Sequence, residues 1–381
     1  MGFLLHQKQI SIKCLAGLSV AILFGILVFG LRPKDFSFSN SVNWITEQPG
    51  IRFSKYGIAY TNPFLESSEE NIYDPNSFSV EIALKPAGYH EEGFNFILAL
   101  HNGKDSTQLL MGQWRSWIIL MNGDDYAHKR REKRIAVNIA SLSPITRFVT
   151  ITTGKKGTKV YFDGQLVRAE KDLTLKIPNG RKARLIIGNS VYGRHSWKGD
   201  IYGLAVYRYT LTAQDAAIHS NEWDKDQNFA FVKNYKPFVL YFFDEKGGTR
   251  VLDHAGGNHH LEVPSRMKIL EKKMLSLAWD GLKLDLGSIQ DIILNLMGFI
   301  PFGFVLIATF VKAGFSFNKH GVIIAIALCF IVSLIIEVVQ AWMPSRSSQF
   351  LDLALNTFGG FIGVIIYRFF YVRVCGKMKE Q

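Results

Sequence analysis

Cysteine is what this chain has least of: three in 381 residues, at Cys14, Cys329 and Cys375. The long stretch between the first two has none, so whatever folds there is held by its core and not by disulfide bonds. Also missing is an A-x-A-like cleavage site after the first apolar run. The exit reads "VFGLRPKDF", and about 18 uncharged residues before it suit a membrane span better than the shorter apolar part of a signal peptide. A retained anchor is therefore expected, a cleaved signal peptide being the alternative. No E-x-D-x-E occurs on any stretch that reads as a strand. Glycan hydrolysis needs two carboxylates roughly 5–9 Å apart, often supplied from alternate positions of one strand, and no such ready pair is visible. The acids of "NEWDKDQ" (221–227) do alternate, but they follow an expected helix in what reads as a polar linker.

Charge and hydropathy are unevenly spread. A mean hydropathy of +0.09 with 13% aromatic residues is too apolar for a purely soluble enzyme and too polar for a pure membrane bundle. The apolar residues should then be concentrated. They fall in four runs, 14–31, 289–311, 322–342 and 350–370. Each is close to the roughly 20 residues that a helix needs to cross about 30 Å of hydrocarbon.

Orientation follows from the basic residues near the runs. Lys8 and Lys13 precede the first, Lys312 and Lys319 lie between the second and third, and Arg368, Arg373, Lys377 and Lys379 close the chain. All fall on one side if four helices cross, which makes that side cytoplasmic. The other side carries Arg32, Lys34 and Arg346 and everything between the first two runs. The expected layout is a cytoplasmic N-terminus (1–13), a first helix (14–31), an exported domain (36–284), a three-helix region (289–371) and a cytoplasmic tail (372–381). A bacterial cytoplasmic (inner) membrane fits, with both termini inside.

Of the net charge of +12, about half, roughly +6, belongs to the exported part. Its densest clump is "HKRREKR" (128–134). This reads as a solvated loop, with anionic lipid head groups or acidic wall polymers as the partners it would meet. Nucleic acid is not a partner for an exported segment.

The exported part reads as β-structure almost throughout. In "RFVTITTGKKGTKVYFDGQLV" (147–167), Val149 and Ile151 alternate with threonines and a Gly/Lys turn follows. Val160 and Phe162 then alternate with Lys159 and Tyr161 before Asp163-Gly164. Paired strands and a type I′ hairpin are expected. Similar runs stand at 78–84, 94–100, 116–122, 183–189 and 200–209, and this density of short strands argues one antiparallel sandwich. One helix interrupts: "LTAQDAAIHSNEW" opens on Thr212 with Asp215 three residues on, a capping-box spacing with a shorter acid.

This segment resembles the concanavalin A-like, laminin-G-like sandwich domains of bacterial surface proteins. The resemblance rests on "FSVEIALKP", "VYFDGQLV", "LIIGN" followed by "WKGDIYGLAVYRYTLTAQDA", and "YFFDEKGGTRVLDHAGGNHHLEVP". In many relatives the counterpart of the last stretch comes before the first of these strands, which leaves the strand order open. The resemblance implies a jelly roll that binds carbohydrate or protein, in some members through Ca²⁺. Trp114 and Trp117 in "QWRSW", with Asp124 and Asp125 after the next strand, would supply a stacking face and carboxylates for a sugar or for Ca²⁺. The competing reading is core tryptophan plus an acidic turn. No other cofactor is indicated.

Polar residues inside the oily runs are expensive and need a reason. The second run holds Asp291 and Asn295 at i, i+4, followed by Gly298 and Pro301. The third holds Ser333, Glu337 and Gln340 on one helical face, and the fourth Asp352, Asn356, Gly359 and Gly363 in one stripe. All three sets fall in the outer leaflet in the expected orientation. Facing one another is cheapest for them, with Arg346 in the short outer loop available to neutralise a carboxylate.

"DIILNLMGFIPFGF", "SLIIEVVQ" and "RSSQFLDLALNTFGGFIG" together resemble the VanZ-like family of small bacterial membrane proteins in its three signature stretches, in order. By that resemblance Asp291, Asn295, Gly298, Pro301, Gly303, Glu337, Gln340, Arg346, Asp352, Asn356 and Gly359 occupy family positions. The departure is the large domain inserted after the first helix. The family is linked by name to teicoplanin resistance and carries no agreed reaction.

The expected fold class is thus a mixed membrane protein, four transmembrane α-helices plus an extracytoplasmic antiparallel β-sandwich. Three functions fit. The sandwich binds an envelope glycan or anionic surface polymer and the bundle anchors it. Or the carboxylate cluster with Arg346 is an active or ion-binding site for a lipid-linked or wall substrate. Or the cluster is hydrogen-bonding glue, with Gly359 and Gly363 as a close-packing face.

Overall fold

The computed structural model describes residues 11–32, 38–63, 74–88, 93–140, 146–178, 183–272, 274–277, 286–314, 319–343, 346 and 348–377. The chain divides into two compact units, Ser37–Glu271 and the pair Met1–Phe36 with Lys272–Gln381. Of the residues behind the orientation expectation, Lys8, Lys34 and Lys379 lie outside the described residues, as do the side chains of Lys319, Arg373 and Lys377.

Ser37–Glu271 is a sandwich. Its first eight strands are β1 (Val42–Trp44), β2 (Ile51–Phe53), β3 (Ala59–Thr61), β4 (Phe78–Pro86), β5 (Asn95–His101), β6 (Leu109–Trp114), β7 (Trp117–Asn122) and β8 (Ile135–Asn138). The next five are β9 (Arg147–Gly154), β10 (Gly157–Phe162), β11 (Gln165–Glu170), β12 (Arg184–Ile187) and β13 (Gly199–Tyr207). After a helix come β14 (Val239–Tyr241), β15 (Arg250–Val251) and β16 (Leu261–Glu262). One sheet has the order β1-β2-β13-β4-β9-β10-β11 with β14 also pairing β13, and the other β15-β16-β3-β12-β5-β6-β7-β8. All these pairings are antiparallel. The strand order left open by the sequence resolves here: the "YFFDEKGGTRVLDHAGGNHHLEVP" stretch opens on the last residue of β14 in the first sheet and contributes β15 and β16 to an edge of the second.

Alternation does what a two-period pattern requires. Phe78, Val80, Ile82 and Leu84 of β4 face the inter-sheet core with Val149 and Ile151 of β9. Glu81 and Ala83 face the other way. Asp163 and Gly164, between β10 and β11, both have positive φ, 48° and 75°, as a type I′ turn demands.

Much of each outer face is covered, although β11 at the edge of the first sheet stays exposed. Over the first sheet lies α2 (Ala213–Asp226), whose Trp223 packs near Phe148 and Tyr202. Thr212 caps it, its hydroxyl accepting from the Asp215 N–H while the Asp215 carboxylate accepts from the Thr212 N–H, a complete capping box. The helix runs to Asp226, so "NEWDKDQ" lies mostly inside it and not in a linker. At about 100° per residue, acids at alternate helical positions point in different directions. Over the second sheet, Tyr126, Tyr192, Met267 and Leu270 pack against Phe94, Phe96 and Ile119.

The other unit is α-helical: α1 (Ile12–Gly30), α3 (Leu286–Lys312), α4 (Lys319–Ala341) and α5 (Phe350–Lys377). All four are long and apolar enough to cross a membrane. Helix α1 starts two residues ahead of the expected run because Ser11 caps it, its Oγ accepting from the Cys14 N–H at 3.2 Å. Glycine sets the closeness of α3 and α5. A Cβ on Gly359 or Gly363 would overlap the carbonyl oxygens of Leu296 and Ile300, and one on Gly303 that of Gly360. Such backbone approach is how helices associate where lipid tails are as apolar as leucine. Helix α1 adds a polar contact, Ser19 Oγ to Thr309 Oγ1 at 3.2 Å.

Candidate functional site

The intramembrane polar residues meet at one end of the helical unit, where α3 and α5 begin and α1 and α4 finish. On α4, Ser333, Glu337 and Gln340 share a buried face because i, i+4 and i+7 return to one side of a helix. Glu337 is 1% exposed, and its Oε2 accepts the backbone N–H of Gln349 at 2.8 Å. Asp352, in the first turn of α5, accepts from Asn295 Nδ2 of α3 at 2.7 Å. One turn further, Asn356 Nδ2 donates to Ser333 Oγ at 3.0 Å. Asp291 is exposed on the first turns of α3.

Two donors converge on the end of α1. Gln340 Nε2 lies 2.7 Å and Arg346 3.1 Å from the Gly30 carbonyl oxygen. Helix C-termini leave carbonyls without intrahelical partners, and these side chains supply them. Arg346 thus binds a backbone oxygen; among the described residues no carboxylate lies within ion-pair distance of it. Its Nε and the Oδ1 of Asn356 are buried without hydrogen-bond partners. No signal in the sequence announces the roles of Gly30 and Gln349, because one acts through its carbonyl oxygen and the other through its backbone N–H, atoms common to nearly all residues.

The four sandwich candidates are not brought together. Trp114 and Trp117 face each other across the β6–β7 turn. Trp114 is 40% exposed, with the Arg115 guanidinium 5.1 Å from its ring centre, while Trp117 packs on the second sheet's outer face. Asp124 and Asp125 follow the far end of β7, about 17 Å away at the rise of a strand.

The acidic pair organises the loop that follows it. Asp125 is 4% exposed, and its carboxylate accepts the N–H groups of Lys129 at 2.8 Å and Glu132 at 3.2 Å. Arg134 stands 3.8 Å away. Burial pushes the Asp125 carboxyl up, but the backbone donors of Glu132, Arg130 and Lys129 and the Arg134 charge outweigh it and hold the group below the usual carboxylate range. Asp124 is paired with Arg130. The result is a pinned loop with His128, Lys129, Arg130, Arg131 and Lys133 at the surface. Nearby, the His195 ring stacks on Phe96 at 4.7 Å and lies tilted against Tyr126 at 5.1 Å. Burial, aided by Arg194, lowers its pKa to about 4, so the ring is neutral at pH 7.

Residues 230–371 match the VanZ/LLP1 family, and 61–217 match the concanavalin A-like lectin/glucanases superfamily. The chain carries a VanZ-like region and a concanavalin A-like domain. All seven intramembrane candidates belong to the VanZ-like region, which begins inside the sandwich unit and includes β14 to β16. The concanavalin A-like match contains Trp114, Trp117, Asp124 and Asp125. No curated protein matches this chain. Among solved structures, the receptor binding domain of botulinum neurotoxin D is 18% identical, with 52% of this chain and 48% of that one covered and a TM-score of 0.38. The binding domain of botulinum neurotoxin DC in complex with rat synaptotagmin II is 16% identical, with 48% and 46% covered and a TM-score of 0.37. The chain thus spans about half the length of these structures.

Proposed function

We propose that this is a multi-pass envelope protein of a bacterial cytoplasmic membrane, its concanavalin A-like domain outside and both termini inside. The domain binds a glycan or anionic surface polymer and the VanZ-like bundle anchors it. The observation that carries this reading is the 124–134 loop, whose basic side chains stand at the surface on a frame pinned by buried Asp125. A preordered cationic loop loses little conformational freedom on meeting a polyanion, which favours binding. Much of each outer sheet face is covered, which leaves loops, hairpin tips such as exposed Trp114, and the exposed edge strand β11 as surfaces for a polymer.

The test is retention of the full-length protein, in detergent micelles, on isolated cell envelope and on a glycan array, with and without Ca²⁺. Retention that weakens with salt and in an Arg131→Glu, Lys133→Glu double variant is the expected result. No retention on any wall or lipopolysaccharide preparation rejects the reading. The likeness to VanZ extends the proposal to teicoplanin-type glycopeptides: deleting the protein should change susceptibility to them. Orientation is checked separately, since a green fluorescent protein fused to the C-terminus should fluoresce only if that end is cytoplasmic.

A second reading makes the VanZ-like cluster an active or ion-binding site, favoured by the unpartnered Arg346 Nε and Asn356 Oδ1 beside two carboxylates. Here Glu337→Gln and Asp352→Asn would leave the fold intact and abolish the susceptibility phenotype. Stability lost with the phenotype retained would identify the cluster as packing.

A further inference from the structure

Between β14 and β15 the chain turns sharply, with Phe243 and Lys246 at φ of 56° and 57° on either side of Asp244 and Glu245. After β15 it returns and places His254 against the same two acids. The oxygen and nitrogen atoms that these three side chains offer all lie within 4.8 Å of one another. The fold holds two of the three firmly. The His254 ring stacks on Phe242, with centres 4.2 Å apart and planes 22° from parallel. Glu245 Oε1 accepts the backbone N–H of Leu252 at 2.6 Å.

The free ends of these groups are what need explaining. Glu245 Oε2 and His254 Nε2 are each sealed from solvent, and neither has a hydrogen-bond partner. The nearest Asp244 oxygen stands 3.9 Å from His254 Nε2, too far to satisfy it by a hydrogen bond. A carboxylate and an imidazole, each with one bare atom, stand in one cluster with the exposed Asp244 carboxylate beside them, and together they form an incomplete shell. Nearly all buried polar atoms find a partner, so two orphans in one small cluster point to a missing one.

We propose that Asp244, Glu245 and His254 bind one divalent transition-metal cation of the zinc class, with water in the remaining position. One imidazole nitrogen and two carboxylate oxygens suit such an ion, whereas Ca²⁺ and Mg²⁺ take shells of oxygen alone. Zinc holds N and O ligands at about 2.0–2.2 Å, so its ligand atoms stand roughly 3.3 Å apart. The three ligand atoms, now within 4.8 Å of one another, would draw in to that spacing around the ion, the exposed Asp244 by turning its side chain. The ion would clasp the β14–β15 turn to the segment after β15, a tie that cysteine provides nowhere in this sandwich. The site stands apart from the polymer-binding loop, and neither proposal falls with the other.

The experiment is titration of the full-length protein, in detergent micelles and freed of metal by chelation, with Co²⁺ as a spectroscopic stand-in. The expected result is one equivalent bound with the visible absorption of a four- or five-coordinate ion, displaced by Zn²⁺ and not by Ca²⁺. His254→Gln and Glu245→Gln should each weaken binding about tenfold or more. Asp244→Asn, a change at an exposed side chain that leaves the fold undisturbed, should do the same and guards against a folding artefact. No saturable Co²⁺ binding, or binding of equal strength in the parent and all three variants, overturns the proposal.

Discussion

Glu81 in the sandwich and Glu337 in the helical unit are both all but sealed from solvent, yet they are satisfied in opposite ways. Glu81 is surrounded by side chains. The Tyr207 hydroxyl lies 2.6 Å from one oxygen, Thr150 donates to the other at 3.1 Å, and His219 Nδ1 sits 2.9 Å and 3.0 Å from the two. Glu337 instead takes its donors from the loop just after its own helix, the Gln349 backbone N–H and the Ser348 hydroxyl. The contrast extends to packing. The sandwich fills the space between its sheets with large side chains such as Trp197 and Phe53, because burying apolar area from water drives its folding. The VanZ-like helices bring backbones together at Gly303, Gly359 and Gly363, because there is little such drive within lipid.

The sharpest way to break this contrast is to remove one partner in the sandwich. His219→Ala removes the Nδ1 contact to both Glu81 oxygens and leaves a cavity beside a buried carboxyl group, and should cost about 3–5 kcal/mol, read as loss of the sandwich's thermal transition. Glu337→Gln keeps an acceptor oxygen for the Gln349 N–H and should cost less, about 1 kcal/mol. Equal losses would erase the distinction.

Packing comes next. Gly363→Ala drives a methyl group into the Ile300 carbonyl, and about 3 kcal/mol is expected, the upper part of the overpacking range. Gly298→Ala on α3 meets nothing within 4 Å and should be neutral or stabilising, since alanine is the better helix former. Size-exclusion profiles of the two variants in detergent would check this, and equal behaviour would remove the close-packing account.

A smaller effect separates the units by pH. His195 titrates near 4 in the fold against 6.5 normally, so between those values the unfolded chain takes up a proton that the folded one refuses. Stability from this group is complete above about 6.5 and is lost as pH falls toward 4, by about 2–3 kcal/mol given a ring edge that reaches solvent. Thermal unfolding from pH 7 to 4 should show the decline, and His195→Asn should flatten it. A small loss is also expected of Thr212→Ala, which removes the α2 cap for about 1 kcal/mol and leaves the helical unit untouched.

Much of this was legible in the sequence because it is local. Spans of about 20 apolar residues, the alternation of 147–162, the Asp163-Gly164 turn and the Thr212–Asp215 box each follow from hydrogen bonds within a few residues of one another. The small-residue stripe of the last helix was readable for the same reason, since Gly359 and Gly363 are one turn apart. Tertiary structure decided what meets what. It set Trp114 and Asp125 at opposite ends of β7, turned Asp125 inward to hold a basic loop, and gave Arg346 to the Gly30 carbonyl. It also folded His254 back onto Asp244 and Glu245, which no spacing in the sequence announced. Periodicity fixes which face of an element a side chain occupies, but its partner depends on where distant backbone lies, and that is settled only when the sheets and helices pack.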